Sequence, residues 1–401
     1  MALLIGTSVP SSGPMSSSPA QAAPQCPASE LLTKFGEWAD EGIVIRRTMP
    51  QQPVTPFPGS KAALTMRLLL AVQRYGTAPW VLAVHDTRGH LLALIDREDF
   101  TSSGGSLWTG RLGGPSVSVS LRGGDNMTEI EVRGSVAMGQ PAPNEAAFSI
   151  SGTTPTWAPL YPQSEPLFRD AGETVGMLVN MRSRNADDGA VLGQDTWCCS
   201  GVMIAKDLFL TNWHCGNGAG PAAWNGEVKQ NALVDLAWED GPMRRQFSVS
   251  DVVASDADLD FAILRLKPLP GAEGGIRQAT AVAIAPADAA LDERVFMIHH
   301  AQCLPKRIST RCRVRDPNYP GWRANAGSTS TEISHDCDTE PGASGSPIFD
   351  SQGRLIALHH LGFQKAGPSC VKDSVNKAVK ISAIAAYLRS EKNSLAQELG
   401  W

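Results

Sequence analysis

The spacing of apolar residues changes along this chain, and each change predicts an element. Trp80-Val81-Leu82-Ala83-Val84-His85 runs into a break at Asp86 to Gly89, and Leu91 to Ile95 follows it. Two such runs around a turn predict a β-hairpin. Ser116 to Leu121 and Thr128 to Val132 alternate again around a Gly123-Gly124-Asp125-Asn126 turn. Before them, Ser29 to Gly36 and Lys61 to Tyr75 are compatible with short helices, the second through Leu64, Leu68, Leu69 and Val72.

From about residue 172 the pattern becomes many short β segments separated by turn residues, which suits barrels or sandwiches. The predicted strands are Val175 to Asn180, Gly201 to Ala205, Leu208 to Thr211, Leu233 to Ala237, Phe261 to Leu266, Arg294 to His299, Lys306 to Ser309, Ile348 to Phe349 and Leu355 to His359. Ile381 to Leu395 returns to helical spacing and closes the chain's last unit.

Composition adds the domain division and the compartment. With 401 residues the chain has room for two or three domains, and 42% hydrophobic residues allow a packed core. Residues 1–28 are rich in Ser, Pro and Ala, with no charged side chain before Glu30; they read as a low-complexity tail or a signal-like segment around Ala20-Gln21-Ala22. Residues 29–165 form a β-rich unit, a propeptide or an accessory module, ending in a linker with six prolines from Pro141 to Pro166. The third unit is 172–401. A net charge of −5 with no long basic run argues against nucleic acid as a partner. No stretch approaches the ~20 apolar residues of a membrane span. The eight cysteines, at 26, 198, 199, 215, 303, 312, 337 and 370, form no CxxC pair, so they predict disulfides and a secreted or periplasmic protein, with no metal.

The candidate chemistry lies in three places. Thr211-Asn212-Trp213-His214-Cys215 holds a histidine after an apolar strand, Asp260 opens the strand DFAIL, and Gly342-Ala343-Ser344-Gly345-Ser346-Pro347 holds a serine in a glycine-rich turn. Serine hydroxyl is a weak nucleophile that needs a base to take its proton and an acid to orient that base. Asp256 and Asp258 lie close by, but Asp260 immediately precedes the apolar run, where a carboxylate needs a donor such as imidazole N–H. Glycines 342 and 345 let the turn aim the N–H groups of Gly342 and Ser344 at one developing oxyanion.

Taken together, these motifs resemble the chymotrypsin-like serine endopeptidases. Thr339-Glu340-Pro341-Gly342-Ala343-Ser344-Gly345-Ser346-Pro347, together with Ile298-His299-His300 and Lys306-Arg307-Ile308-Ser309, resembles the bacterial branch of lysyl and glutamyl endopeptidases. Ser106 to Val119 is similar to a segment that precedes some secreted bacterial peptidase domains. The resemblance implies an all-β fold of two antiparallel six-stranded β-barrels with a C-terminal helix, preceded by the smaller β-rich domain. It implies catalysis by His214, Asp260 and Ser344 on protein or peptide substrates, without a cofactor. Ala343 stands where trypsin-type enzymes carry an aspartate, so activation by a new N-terminus pairing with that acid is not expected.

The family also implies a Cys199–Cys215 bridge beneath the histidine, and it suggests Cys312–Cys337 and Cys303–Cys370, leaving Cys26 and Cys198 paired together or free. For specificity, Asp338, whose alternative is a structural role, and Asp373 point to cleavage after Lys or Arg. His359 and His360, on the strand walling the pocket, are the glutamyl-type alternative. Two further rivals are a non-catalytic binding protein on a peptidase scaffold and an esterase, whose G-x-S-x-G elbow fits Gly342 to Ser346 only in part.

Overall fold

The computed structural model describes residues 33–34, 36–47, 49–54, 63–139, 156–161, 165–185, 191–216, 223–224, 226–238, 245–269, 281–320, 330–362 and 376–401. Strands Val175–Asn185, Val191–Met203, Leu208–Thr211, Leu233–Asp235, Gln246–Asp256 and Phe261–Pro268 form one antiparallel sheet. It closes where Val202 and Met203 pair with Leu210 and Phe209. Strands Arg294–His299, Arg307–Tyr319, Glu332–His335, Pro347–Phe349, Leu355–Leu361 and Asn376–Lys380 form a second closed sheet of the same kind. These are the two expected six-stranded barrels. Closure leaves no bare edge within either ring.

Each barrel has its own apolar interior. Leu178, Phe209, Val234 and Leu264 pack in the first, and Val295, Met297, Ile333 and Ile348 in the second. A third cluster joins them: Val202, Leu210 and Ile263 meet Ile298, Phe349 and Leu358, with Ile384 and Leu388 from the C-terminal helix. The barrels therefore share a core. The predicted helix is split into Ile381–Glu391 and Asn393–Leu399, because Lys392 adopts φ −141° and ψ 48°.

The N-terminal unit is a sandwich of two sheets. One contains Glu37–Arg46, Glu129–Gly139, Ala63–Arg74, Ser106–Trp108 and Leu112–Gly113; the other contains Gln52–Val54, Val117–Gly123, Trp80–Asp86 and Leu91–Asp96. The predicted hairpin is present, with Leu82 opposite Ile95 and Val84 opposite Ala93. The helix expected over Lys61 to Tyr75 is instead the strand Ala63–Arg74. Its fully buried Met66, Leu68 and Leu70 repeat every second residue, and its backbone pairs on both sides. The run Leu68-Leu69-Leu70 satisfies both periods, and the tertiary ladder selects β. Likewise Thr33–Lys34, within the first expected helix, is a short strand.

The sandwich is docked on the first barrel through a buried polar clamp. Arg111 Nη2 lies 3.1 Å from Asp235 Oδ2, both side chains at 1% exposure or less, and the guanidinium sits 3.6 Å over the Trp238 ring. Gln246 Oε1 accepts the Arg111 N–H at 2.7 Å, and Arg67 donates to the Asn231 carbonyl at 2.8 Å. Burial pulls the Arg111 guanidinium down to about 10, against the Asp235 charge that holds it up. Around the clamp, Val136 and Met138 pack against Met177, Val179 and Trp238. The N-terminal region also lends one short strand to each barrel: Thr33–Lys34 pairs at Trp197 and Cys198, and Ala158–Pro159 pairs at Arg307 and Ile308.

Breaking a buried pair by removing one partner costs about 3–5 kcal/mol, whereas an apolar replacement of both is often neutral. Arg111→Met should therefore lower the urea midpoint of the whole chain, and Arg111→Met combined with Asp235→Leu should recover most of the loss. A single mutant with an unchanged midpoint would show that the clamp is not load-sharing between the two units.

Candidate active site

The histidine is fixed by what surrounds its loop. Strand Leu208–Thr211 ends at Asn212, and a short 3-10 turn, His214–Gly216, follows. Cys215 is bonded to Cys199, and the Cys215 carbonyl accepts from Asn180 Nδ2 and Trp197 Nε1, each at 2.7 Å. Asp260 then orients the ring. Its Oδ1 accepts the His214 backbone N–H at 3.0 Å, its Oδ2 lies 2.8 Å from His214 Nδ1, and its carbonyl accepts from Asn212 Nδ2 at 2.8 Å.

Asp260 has φ +50°, a left-handed conformation that a non-glycine residue holds at a cost of ~1–3 kcal/mol. Of the three nearby acids, Asp258 is exposed and Asp256 caps the turn by accepting the N–H groups of Asp258 and Leu259. Burial pushes the Asp260 carboxyl up, but the His214 and His360 rings override it and hold it well below the usual carboxylate range. Among the described residues, His214 Nε2 is buried and has no hydrogen-bond partner.

The serine lies in a turn stitched to the first barrel by Ser200. The Ser200 N–H donates to the Ser344 carbonyl at 2.7 Å, its hydroxyl donates to the Gly342 carbonyl at 2.9 Å, and its carbonyl accepts from Thr211 Oγ1 at 2.8 Å. On the other side the Gly345 N–H donates to the His359 carbonyl at 2.8 Å. Gly342 has φ +98°, and a Cβ there would lie 2.7 Å from the His300 carbonyl oxygen. Gly345 has φ +84°, and a Cβ would lie 2.1 Å from the Ser200 carbonyl oxygen. Both positions exclude a side chain.

Within this turn the N–H groups of Ala343, Gly345 and Ser346 all donate to protein carbonyls. No acceptor among the described residues takes the N–H of Gly342 or of Ser344. Two neighbouring donors without partners in a folded turn are what an oxyanion site requires.

One disulfide differs from expectation. Cys198 and Cys199 are consecutive on a strand, so their side chains point to opposite faces. Cys199 turns to Cys215, and Cys198 turns to Cys303, with a Cα–Cα distance of 5.8 Å. The expected Cys303–Cys370 pair is thereby excluded, and so is a Cys198 that is free or paired with Cys26. Cys26 and Cys370 lie outside the described residues, as does Asp373. Cys312–Cys337 is present as expected. Cys199, His214 and Cys215 are close enough to resemble a metal triad, but the two cysteines are bonded to each other and offer no thiolate.

The specificity candidates separate into different environments. Asp338 Oδ2 accepts both the N–H and the hydroxyl of Thr156 at 2.7 Å. Beside it, Trp157 packs edge-on to His299 with centroids 5.1 Å apart. His359 Nδ1 lies 3.1 Å from His335 Nε2, and His335 Nδ1 accepts the Cys337 N–H at 3.3 Å. That acceptance assigns the proton of neutral His335 to Nε2, which donates to His359 and leaves the His359 proton on Nε2. His360, expected next to His359 on the pocket wall, instead contacts Asp260 Oδ2 at 3.2 Å and Glu332 Oε1 at 3.4 Å. Ser200, Thr156, Glu332 and His335 were not singled out from the sequence. The doublets His299-His300 and His359-His360 in apolar strands were the available signal for a buried histidine network.

Two closed barrels with an aspartate–histidine pair and a glycine-turn serine beside their shared core define the chymotrypsin-like architecture. Residues 199–358 match the family model described as the trypsin-like peptidase domain. Among curated proteins, a secreted RxLR effector protein 73 of Plasmopara viticola is 27% identical over 210 residues, 48% of this chain and 49% of that protein. The chain thus spans about half the length of this curated relative. Similar solved structures include the Rv3671c protease from M. tuberculosis in its active form, at 19% identity and TM-score 0.38, covering 59% of this chain and 91% of that one. Deg5 is similar at 20% identity and TM-score 0.40, covering 55% and 91%.

Burial pushes His299 and His335 down to about 3 and holds His359 well below its ordinary value. The unfolded chain binds protons that these rings refuse, so their contribution to stability is complete above about pH 6.5 and is lost as pH falls toward 3. His360 acts in the opposite sense. Burial pulls it down, but Glu332 and Asp260 raise it to about 9, so its contribution is complete below about pH 6.5 and is lost as pH rises through 9. Tm should therefore peak near neutral pH and fall more steeply on the acid side. A Tm constant between pH 4 and 6.5 would contradict the neutral, buried state of these histidines.

Proposed function

We propose that this protein is a serine endopeptidase that hydrolyses peptide bonds through an acyl-enzyme. The observation that carries the reading is the combination of a His214 ring oriented by Asp260, with a buried and unpartnered Nε2, and a serine turn with two unused N–H donors. His214 Nε2 takes the Ser344 hydroxyl proton as Oγ attacks the scissile carbonyl carbon. Oxygen gains charge, and the N–H groups of Gly342 and Ser344 receive it; one such donor is worth ~3–4 kcal/mol of barrier. The C–N bond then breaks, the amine leaves with the proton from His214, and water repeats the sequence to release the acid and restore Ser344. Asp260 stays ionised throughout, fixing the tautomer and stabilising the imidazolium.

Cleavage after Lys or Arg is the preferred specificity, with Asp338 as the acid that reads the cation. Asp338 is 2% exposed and its Oδ2 accepts two hydrogen bonds from Thr156, which fix the orientation of the carboxyl group. Asp373 is the second candidate acid. The glutamyl alternative is supported by the His335-to-His359 relay, which leaves His359 Nε2–H as a neutral donor for a carboxylate. The three disulfides among the described residues favour an oxidising compartment, and a secreted enzyme acting on protein or peptide substrates is the reading they support. No described helix is long and apolar enough to cross a membrane.

Ser344→Ala and His214→Ala should each abolish hydrolysis of a defined peptide mixture by the folded protein, a loss of about 10⁶-fold in kcat because triad members act as a unit. Near-normal turnover by folded Ser344→Ala would end the serine reading in favour of a non-catalytic or different hydrolase. Asp338→Asn should lower kcat/KM for Lys and Arg substrates by about 5- to 150-fold, the equivalent of ~1–3 kcal/mol, with other substrates unaffected. Best cleavage after Glu, removed by His359→Gln and untouched by Asp338→Asn or Asp373→Asn, would assign the pocket to the glutamyl type.

A further inference from the structure

The carboxylate of Asp260 faces two histidines, and only His214 has a role in the reaction described above. The second, His360, comes from the other barrel, on strand Leu355–Leu361. Its ring is 1% exposed, with Nδ1 3.2 Å from Asp260 Oδ2 and Nε2 3.4 Å from Glu332 Oε1. Glu332 is equally buried, at the start of strand Glu332–His335. The Nδ1 contact to Asp260 is a hydrogen bond, and the Nε2 contact to Glu332 is an ion-pair distance without hydrogen-bond alignment. An imidazolium, with a proton on each nitrogen, presents positive charge to both carboxyl groups. A neutral imidazole would turn a lone pair toward one buried carboxylate.

We propose that His360 is a positioning residue of the reaction, an imidazolium clamped between Glu332 and Asp260 that fixes the Asp260 carboxylate against His214. The proposal rests on the serine-endopeptidase reading and extends it to a second pair, Glu332–His360, behind the triad acid. Asp260 Oδ1 takes the His214 backbone N–H and Oδ2 is shared between the two rings, so the carboxylate plane is held from three directions. It is this restraint that lets a residue at a left-handed φ keep its side chain aimed at His214.

The charge surroundings favour a cation at this point. The other groups facing the ring are His359, His335 and His214, and Lys377 faces Glu332 from the neighbouring strand. His335 and His359 are kept neutral by burial, and the groups that favour a charged His360 ring are Glu332 and Asp260. These two hold the His360 proton up to about 9. Above that pH the ring can donate to only one carboxylate. Asp260 then loses the positive charge of one of its restraints, and a misplacement of ~1 Å at a catalytic group costs about 10²-fold in rate.

The test uses the full chain and a peptide substrate whose hydrolysis depends on Ser344. The kcat profile of the wild type should fall on an alkaline limb near pH 9, and ¹⁵N-histidine NMR should find both His360 nitrogens protonated at pH 7, losing a proton over the same range. Glu332→Gln should move limb and NMR transition together to lower pH. His360→Gln should lower kcat by about 10²-fold with KM little changed, and abolish the limb. A neutral His360 at pH 7 in the wild type overturns the proposal without any variant having to fold. So does wild-type kcat in His360→Gln, or a limb that Glu332→Gln leaves in place. If no hydrolysis depends on Ser344, the endopeptidase reading falls and takes the proposal with it. If hydrolysis depends on Ser344 and the His360 results fail, the proposal alone falls.

Discussion

A buried carboxylate governs this structure. Asp260 lies at 2% exposure at the mouth of an apolar strand, and an unpaired charge there would cost several kcal/mol. What offsets the cost comes from both barrels: the His214 N–H and ring from the first, the His360 ring from the second. The acid is therefore stable only where the two barrels meet in the observed register. The same contacts hold its backbone in a left-handed conformation and orient the imidazole. Fold and candidate chemistry share one constraint.

Around that point, the link between barrels is repeated with other groups. Ser200, on a first-barrel strand, holds the serine turn through Ser344 and Gly342, and its hydroxyl accepts the His300 N–H. The Cys198–Cys303 bridge joins the same strand to the loop behind Gly342. The N-terminal region is tied in as well. It gives an extra strand to each barrel, buries the Arg111–Asp235 pair against the first, and brings Thr156 to Asp338 in the second. Attached in this way, the N-terminal unit shares an apolar cluster and a buried ion pair with the first barrel.

Much of this was legible in the residues. Short apolar runs between turns located most strands of both barrels, and Leu208–Thr211 and Arg294–His299 match the predicted limits. The strands left unpredicted were Gln246–Asp256, Glu332–His335 and Asn376–Lys380, where polar side chains interrupt the apolar pattern. Glu332 and His335 are buried because they partner other polar groups, which a hydrophobicity pattern does not register. Ala63–Arg74 was misread because its apolar residues are dense enough to fit either period, and strand pairing made the choice. At the site, glycine spacing and residue order pointed to His214, Asp260 and Ser344. The roles of His359 and His360 were not separable, since adjacent residues on a strand face opposite ways and only tertiary contacts show which one reaches the acid. The Cys303 assignment failed for the same reason: the Cys198-Cys199 doublet leaves open which side chain faces which barrel.

The most direct test of the central claim is covalent. Diisopropyl fluorophosphate reacts with a serine whose hydroxyl is activated by a neighbouring base and whose oxyanion is received by backbone donors, and ignores ordinary serines. Treatment of the folded, disulfide-intact protein followed by peptide mass mapping should place one diisopropylphosphoryl group on Ser344, and none after His214→Ala. An unmodified Ser344 in a folded protein, or modification of a different serine with equal yield, would contradict the account.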